Sequence, residues 1–232
     1  MTTEPLTDYS SDEAKFFQIH LGGDRNFSYL LGNGRTGEAA VVDPGYGADS
    51  LQETAQKNGL KIRHVLITHG HSDHIGALDR LVELTEATVH AGPEDKVSGA
   101  EPLADNQVIR LGDLSVHAMK TPGHSPGHFC FLFEGRLATG DLLFCGKVGG
   151  TGDYFPGSSA EAEHDSLARL LKLSDETGVF PGHDYYGGEG TMTSSTIGHE
   201  RRKNPFLTAA DFAAFTHLKD NWAQYKQEHG IR

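Results

Sequence analysis

Residues 68–74 read Thr-His-Gly-His-Ser-Asp-His, which places three histidines and one aspartate within seven positions. Imidazoles and carboxylates are ligands for zinc, iron or manganese. So dense a group admits three readings. One ion is gripped by all four side chains, two ions share them, or the loop grips nothing. Spacing narrows the choice. The preceding Lys-Ile-Arg-His-Val-Leu-Ile has the pattern of a strand. In extended backbone, side chains two apart point the same way, so His69 and His71 can converge. Ser72 or Asp73 is expected to cap a helix that follows. Asp73 and His74 then sit on its first turn and aim elsewhere. The stretch therefore offers two half-sites rather than one crowded tetrad.

Half-sites need partners from farther along the chain. His124 in Thr-Pro-Gly-His-Ser-Pro-Gly-His, Asp141 in Ala-Thr-Gly-Asp-Leu-Leu and His183 in Phe-Pro-Gly-His-Asp-Tyr-Tyr each follow an expected strand. Glycines border all three, which lets the backbone turn tightly and present a ligand at a strand end. Five histidines and two aspartates suit two metals with one bridging carboxylate, with room left for water. Between two cations water ionises near neutral pH, and the resulting hydroxide can attack the carbonyl of a thioester or ester. One cation then stabilises the oxyanion as it develops.

The stretch 68–74 resembles the HxHxDH signature of the metallo-β-lactamase superfamily, and His124, Asp141 and His183 match its later metal-binding motifs in order and context. The resemblance spans roughly residues 15–207. It implies an α+β fold, a four-layer αββα sandwich with the metals at the sheet edge. Within the superfamily, the sequences around His124, Asp141 and His183 look like the glyoxalase II branch, the hydroxyacylglutathione hydrolases. They also resemble the persulfide dioxygenases, which use one iron. In the glyoxalase II reading, His69, His71 and His124 hold one metal, Asp73, His74 and His183 hold a second, and Asp141 bridges. Two divalent ions (zinc, iron or manganese) then support cleavage of a thioester or related ester, and Asp73 orients the hydroxide or relays its proton. In the alternative reading, one Fe(II) on His69, His124 and Asp141 supports oxidation of glutathione persulfide. The short tail segment Ser-Thr-Ile-Gly-His-Glu-Arg-Arg-Lys-Asn-Pro resembles that branch.

Substrate contacts are expected from Tyr185, two residues beyond His183, and from Lys147. The basic cluster at 199–206 adds Arg201 and Lys203, with Arg202, as a cradle for substrate carboxylates. Two features depart from the glyoxalase II pattern. The helical tail is short, and the segment after Asp141 reads Cys-Gly-Lys-Val-Gly-Gly where a Gly-Cys-Gly-Arg stretch is usual. Of the other histidines, His64, His90, His117 and His128 fall within or beside strand patterns and read as structural. His164, His217 and His229 read as solvent-facing on helices. Cys145 reads as a small buried residue.

The elements that must position these groups follow from periodicity. Residues 1–14 read as a flexible arm, 15–207 as the catalytic domain and 208–232 as a C-terminal helix packed on it, capped by Thr208 and stopped by Gly230. Strands come first in pairs and then alternate with helices. The 232 residues suffice for one large core. With 20 Lys+Arg against 32 Asp+Glu, the net charge of −12 argues against nucleic acid or anionic membrane as partner. Two cysteines make no disulfide framework, and no signal peptide or membrane-length apolar run is visible. A cytoplasmic protein acting on a small thioester or thiol-derived substrate is expected. A homodimer is compatible with all of this.

Overall fold

The computed structural model describes residues 6–231 except 24, 186 and 188–191. Seven strands form the first sheet in chain order: β1 (Leu6–Asp8), β2 (Ala14–His20), β3 (Phe27–Asn33), β4 (Glu38–Val42), β5 (Lys61–Leu66), β6 (Thr88–Ala91) and β7 (Glu101–Pro102). Pairing is antiparallel from β1 to β4 and parallel from β4 to β7. The helices α1 (Ala48–Lys57), α2 (Ser72–Ile75) and α3 (Leu78–Thr85) lie in the crossovers of the parallel half. The second sheet takes β8 (Val108–Leu111), β9 (Leu114–Lys120), β10 (Phe129–Phe133), β11 (Arg136–Gly140), β14 (Gly178–Pro181) and β15 (Ser195–Thr196), in the order β15-β14-β11-β10-β9-β8. A small hairpin, β12 (Leu143–Phe144) with β13 (Lys147–Val148), follows β11.

The central strands β3, β4, β10 and β11 are buried on both faces and largely apolar, while the edge strands β1 and β8 expose residues to solvent. In β4, Ala39 and Val41 face the helices α1 and α3, while Ala40 and Val42 face the second sheet. Period-two geometry requires that division. Between the sheets, Phe16, Tyr29 and Leu31 meet Phe129, Phe131, Phe133 and Phe180. The outer face of the second sheet packs Cys130, Leu137 and Val179 against Leu167 and Leu170 of α4 (Ala160–Leu170) and Ile197 of α5 (Ile197–Lys203). Phe215 and Trp222, from α6 (Phe212–Asp220) and α7 (Trp222–His229), complete that layer. The order helices, sheet, sheet, helices is the αββα sandwich expected from the sequence.

Three boundaries differ from expectation. The described part of the 1–14 arm is not loose, because Leu6–Asp8 pair with β2 as an edge strand. Tyr9 packs on Phe180, and its carbonyl accepts from the Arg136 guanidinium. The tail is two helices, broken at Asn221, and its cap is Asp211 accepting from Ala214 N rather than Thr208. Thr208 is instead turned back onto the Asn204 carbonyl. Gly230, left-handed at φ 65°, ends the chain's last helix as expected. The helix after His71 is likewise broken, at Gly76 and Ala77, into α2 and α3. Among the described residues no helix is long and apolar enough to cross a membrane.

Candidate metal centre

All seven predicted ligands lie at the same end of the two sheets, beyond the C-terminal ends of β5, β9, β11 and β14. His69 and His71 follow β5. His71, not Ser72 or Asp73, occupies the cap position of α2, in extended backbone with no side-chain capping bond. Ser72 is already helical, so the first turn carries Asp73 and His74 around to the far side. His69, His71 and His124 present ligand atoms within 4.8 Å of one another, and so do Asp73, His74 and His183. Asp141 sits between the two groups. Its Oδ1 is 3.4 Å from His74 Nε2, and its Oδ2 is 3.4 Å from His183 Nε2 and 3.7 Å from His124 Nε2. A side chain at Gly182 would overlap Asp141 Oδ1, so the residue before His183 must be glycine for the two ligands to approach.

The hydrogen bonds behind the ligands decide which nitrogen each imidazole offers. His124 Nδ1 donates to the Gly150 carbonyl at 2.7 Å, which leaves Nε2 as a lone pair facing His71 Nδ1 at 3.1 Å. His74 Nδ1 donates to Asp43 Oδ2 at 2.9 Å, which leaves Nε2 facing His183 Nε2 at 3.3 Å. The same Asp43 Oδ2 takes the Thr68 hydroxyl proton at 2.6 Å, so Thr68 Oγ1 can only accept from His69 Nδ1 at 3.0 Å. His69 Nε2 is then a buried lone pair with no hydrogen-bond partner. Such carboxylate and carbonyl partners commonly fix the tautomer of metal-binding histidines.

A metal ion fits this donor set. Two ligands bonded at 2.0–2.1 Å in a tetrahedral site lie about 3.3 Å apart. The ligand-atom separations given above run from 3.1 to 3.7 Å. His183 Nε2 to Asp73 Oδ2, at 3.2 Å, falls in the same range. The site also demands positive charge. Burial opposes protonation of His183, but Asp141 and Asp73 outweigh it and lift the ring to about 10. Burial likewise opposes ionisation of Asp141, yet His74 and His183 hold its carboxyl well below the usual carboxylate range. Protons or metal ions can supply that charge. His69 lies the other way, held well below the usual imidazole range by burial and by His74.

Several residues that support the site were not singled out from the sequence. Asp43, at the end of β4, is left-handed at φ 49° and holds Thr68 N, Thr68 Oγ1 and His74 together. Asn26 Nδ2 donates to Asp73 Oδ2 at 3.0 Å. Asp95 accepts from Gly70 N, Ser125 Oγ and Gly127 N, and so ties the loop of His69 to the loop of His124. His128, expected as structural, stacks on His69 with ring centroids 5.5 Å apart. A buried acidic residue in Val-Val-Asp-Pro-Gly was the one available signal for Asp43.

A cavity of about 350 Å³ opens onto His124 and Asp141. Its walls include Phe144, Phe155, Tyr185, Trp222, Lys147 and Lys219. Tyr185 stacks on His183, with the ring planes 1° apart, and Lys147 Nζ lies 4.9 Å from the centre of the Tyr185 ring. Both expected substrate contacts thus line the cavity. Arg201 and Lys203 do not. The Arg201 guanidinium pairs with Asp175 and bonds the Leu171 carbonyl, while Arg202 reaches Asp175 at 3.0 Å. Lys203 is exposed on the same helix. The Ser-Thr, Glu-Arg and Asn-Pro elements have structural tasks. Thr196 caps α5, Ser195 donates to Glu200, and Glu200 and Asn204 together hold the Gly146–Lys147 backbone of the small hairpin. Cys130 and Cys145 are free and buried, and burial pushes both thiols up to about 12.

Known proteins share both the sequence and the fold. Residues 21–183 match the metallo-beta-lactamase superfamily model. A cytoplasmic hydroxyacylglutathione hydrolase of Arabidopsis thaliana is 36% identical over 180 residues, covering 74% of this chain and 68% of the relative. The crystal structure of ETHE1 from Myxococcus xanthus superposes with a TM-score of 0.82 at 32% identity, covering 89% of this chain and 90% of that one. The structure of TTHA1623 in a di-iron-bound form gives a TM-score of 0.70 at 32% identity, covering 82% of this chain and all (100%) of that one. Taken with the ligand order and the αββα layers, these matches establish that the chain belongs to the metallo-beta-lactamase superfamily.

Proposed function

We propose that the protein is a two-metal hydrolase that cleaves the thioester of a small anionic thiol, of the hydroxyacylglutathione kind. The observation that carries the reading is the second donor group. Asp73, His74 and His183 are spaced as closely as His69, His71 and His124, and Asp141 reaches both. His74 Nε2 and His183 Nε2 lie 3.3 Å apart with Asp141 3.4 Å from each, the spacing of atoms that share one ion. The similarity to a hydroxyacylglutathione hydrolase and to a di-iron structure supports the same reading.

Divalent ions held by these residues would lower the pKa of a water and polarise the substrate carbonyl. The chain's own groups do the rest. The cavity brings the thioester carbonyl beside His124 and Asp141. Asp73, with 28% of its side chain exposed and Asn26 holding Oδ2, orients the water and carries its proton. The water oxygen bonds to the carbonyl carbon, the carbon–sulfur bond breaks, and the sulfur leaves as thiolate to take up that proton. Thiolates are good leaving groups, so no strong general acid is needed. The chain carries −12 overall, yet Lys147 and Lys219 both reach the wall of the cavity. The Lys147 ammonium, with no carboxylate paired to it among the described residues of the wall, favours an anionic substrate.

Metal counting on protein purified without oxygen tests the reading. Two ions per chain and cleavage of a hydroxyacylglutathione are expected, with loss of one ion and most of the rate in Asp73→Ala. One iron per chain with oxygen uptake on glutathione persulfide would instead establish the dioxygenase chemistry.

A further inference from the structure

Lys219 lies in the C-terminal helix α6, far in sequence from every metal ligand, and reaches into the wall of the cavity. It makes two polar contacts there. Its ammonium pairs with Glu163 of α4, a carboxylate with no solvent exposure at all. It also donates to the Gly149 carbonyl at 2.8 Å. The next carbonyl along, that of Gly150, is the acceptor that fixes the His124 ring. Gly149 N donates to the Leu142 carbonyl at 3.2 Å, and a side chain at Gly149 would overlap the Asp141 carbonyl.

Glu163 packs against the residue that precedes the same histidine. A side chain at Gly123, the residue before His124, would overlap the Glu163 backbone. The Gly123 carbonyl accepts from Ser159 N at 2.8 Å, and the Pro122 carbonyl accepts from Ser166 Oγ at 2.6 Å. Helix α4 therefore carries the loop that presents His124, and Lys219 ties α4 to the Gly149–Gly150 segment that orients it. A buried ion pair of this kind rarely adds net stability, because desolvation of both charges offsets their attraction. Its value lies in fixing geometry.

We infer that Lys219 is a positioning residue for the three-histidine metal half-site, acting through the Gly149–Gly150 backbone on His124, so that the C-terminal helix is a working part of the metal centre. The inference rests on the metal-binding reading above. It assigns the tail a task distinct from substrate capture.

The test uses cobalt(II), titrated into metal-free full-length protein against a competing chelator and followed by its visible spectrum. Glu163→Gln removes the buried charge but keeps the Lys219 bond to the Gly149 carbonyl. It should bind cobalt within about twofold of wild type. The double variant Glu163→Gln/Lys219→Met leaves no unpaired charge and should fold, as circular dichroism will show. It should lose about tenfold in affinity at one of two sites, with an altered spectrum for that site, the low end of what partners of metal-bound histidines contribute. Lys219→Arg, which keeps a donor at that position, should recover most of the loss. A double variant that binds both ions as tightly as wild type overturns the inference alone. Equal losses in Glu163→Gln and the double variant overturn it as well. Wild-type protein that takes up no cobalt overturns both the inference and the reading beneath it.

Discussion

Replacing Asp43 with asparagine should loosen both halves of the metal centre at once. Asp43 Oδ2 accepts two buried bonds, from Thr68 Oγ1 at 2.6 Å and from His74 Nδ1 at 2.9 Å. The asparagine keeps the shape and can keep the bond from Thr68 N, but presents an NH₂ where Oδ2 stood. That group can only donate. His74 must then turn its Nδ1 lone pair toward it and carry its proton on Nε2, the atom that faces His183. Thr68 loses its acceptor, and its hold on His69 Nδ1 is no longer fixed in direction. Hydrogen bonds to a charged group contribute roughly 1.5–3 kcal/mol each, so the metal-free variant should lose about 3–6 kcal/mol in urea unfolding. Each half-site should lose about 10–100-fold in zinc affinity by chelator competition. Thr68→Val cuts only the relay to His69 and should weaken one site while leaving the other within about twofold. An Asp43→Asn variant that keeps two ions at wild-type affinity would refute the tautomer argument on which the metal centre is built.

Three further outcomes follow from the cavity and its surroundings. Lys147→Met should raise KM for an anionic thioester about tenfold with kcat nearly unchanged, measured by steady-state hydrolysis, because the ammonium binds ground and transition states alike. Arg201→Ala should leave KM unchanged and lower stability by about 1 kcal/mol in urea unfolding, since its partly exposed guanidinium serves Asp175 and the Leu171 carbonyl. Burial raises Glu163 to about 7, even against the opposing pull of Lys219. A carboxyl raised on folding destabilises the fold as pH climbs from its unfolded value, about 4.3, through 7. Wild-type stability should therefore fall relative to Glu163→Gln across that window, and parallel urea midpoints at pH 5 and pH 8 would contradict the assignment.

The residues that converge could be picked out because their signals are local: His69, His71, His124, Asp141 and His183 each stand beside a glycine after a strand, and Asp73 and His74 follow on the first turn of a helix. The sandwich was legible for a similar reason, since strands buried on both faces are apolar in runs such as Phe-Ser-Tyr-Leu-Leu. What could not be read is contact across long separations. Asp43 meets His74 over 31 positions and Lys219 meets Gly149 over 70, and no spacing rule links them. Arg201 and Lys203 misled because a basic cluster says nothing of which way its helix faces. Here α5 turns Arg201 toward Asp175 and away from the cavity. The tail read as one helix because its aromatics keep a helical period through Asn221, while the break there leaves Phe215 on one helix and Trp222 on the next.

The two cysteines bear on what the protein can survive. Burial pushes both thiols up to about 12, so at neutral pH the thiolate is scarce at either position. Thiol–disulfide exchange proceeds through the thiolate, and both sulfurs are also sealed from solvent. On the proposed reading each turnover releases a free thiol, so the protein works among disulfides formed from its own product. This chain offers them nothing to attack, so it should keep working through oxidising conditions that would cap an exposed cysteine.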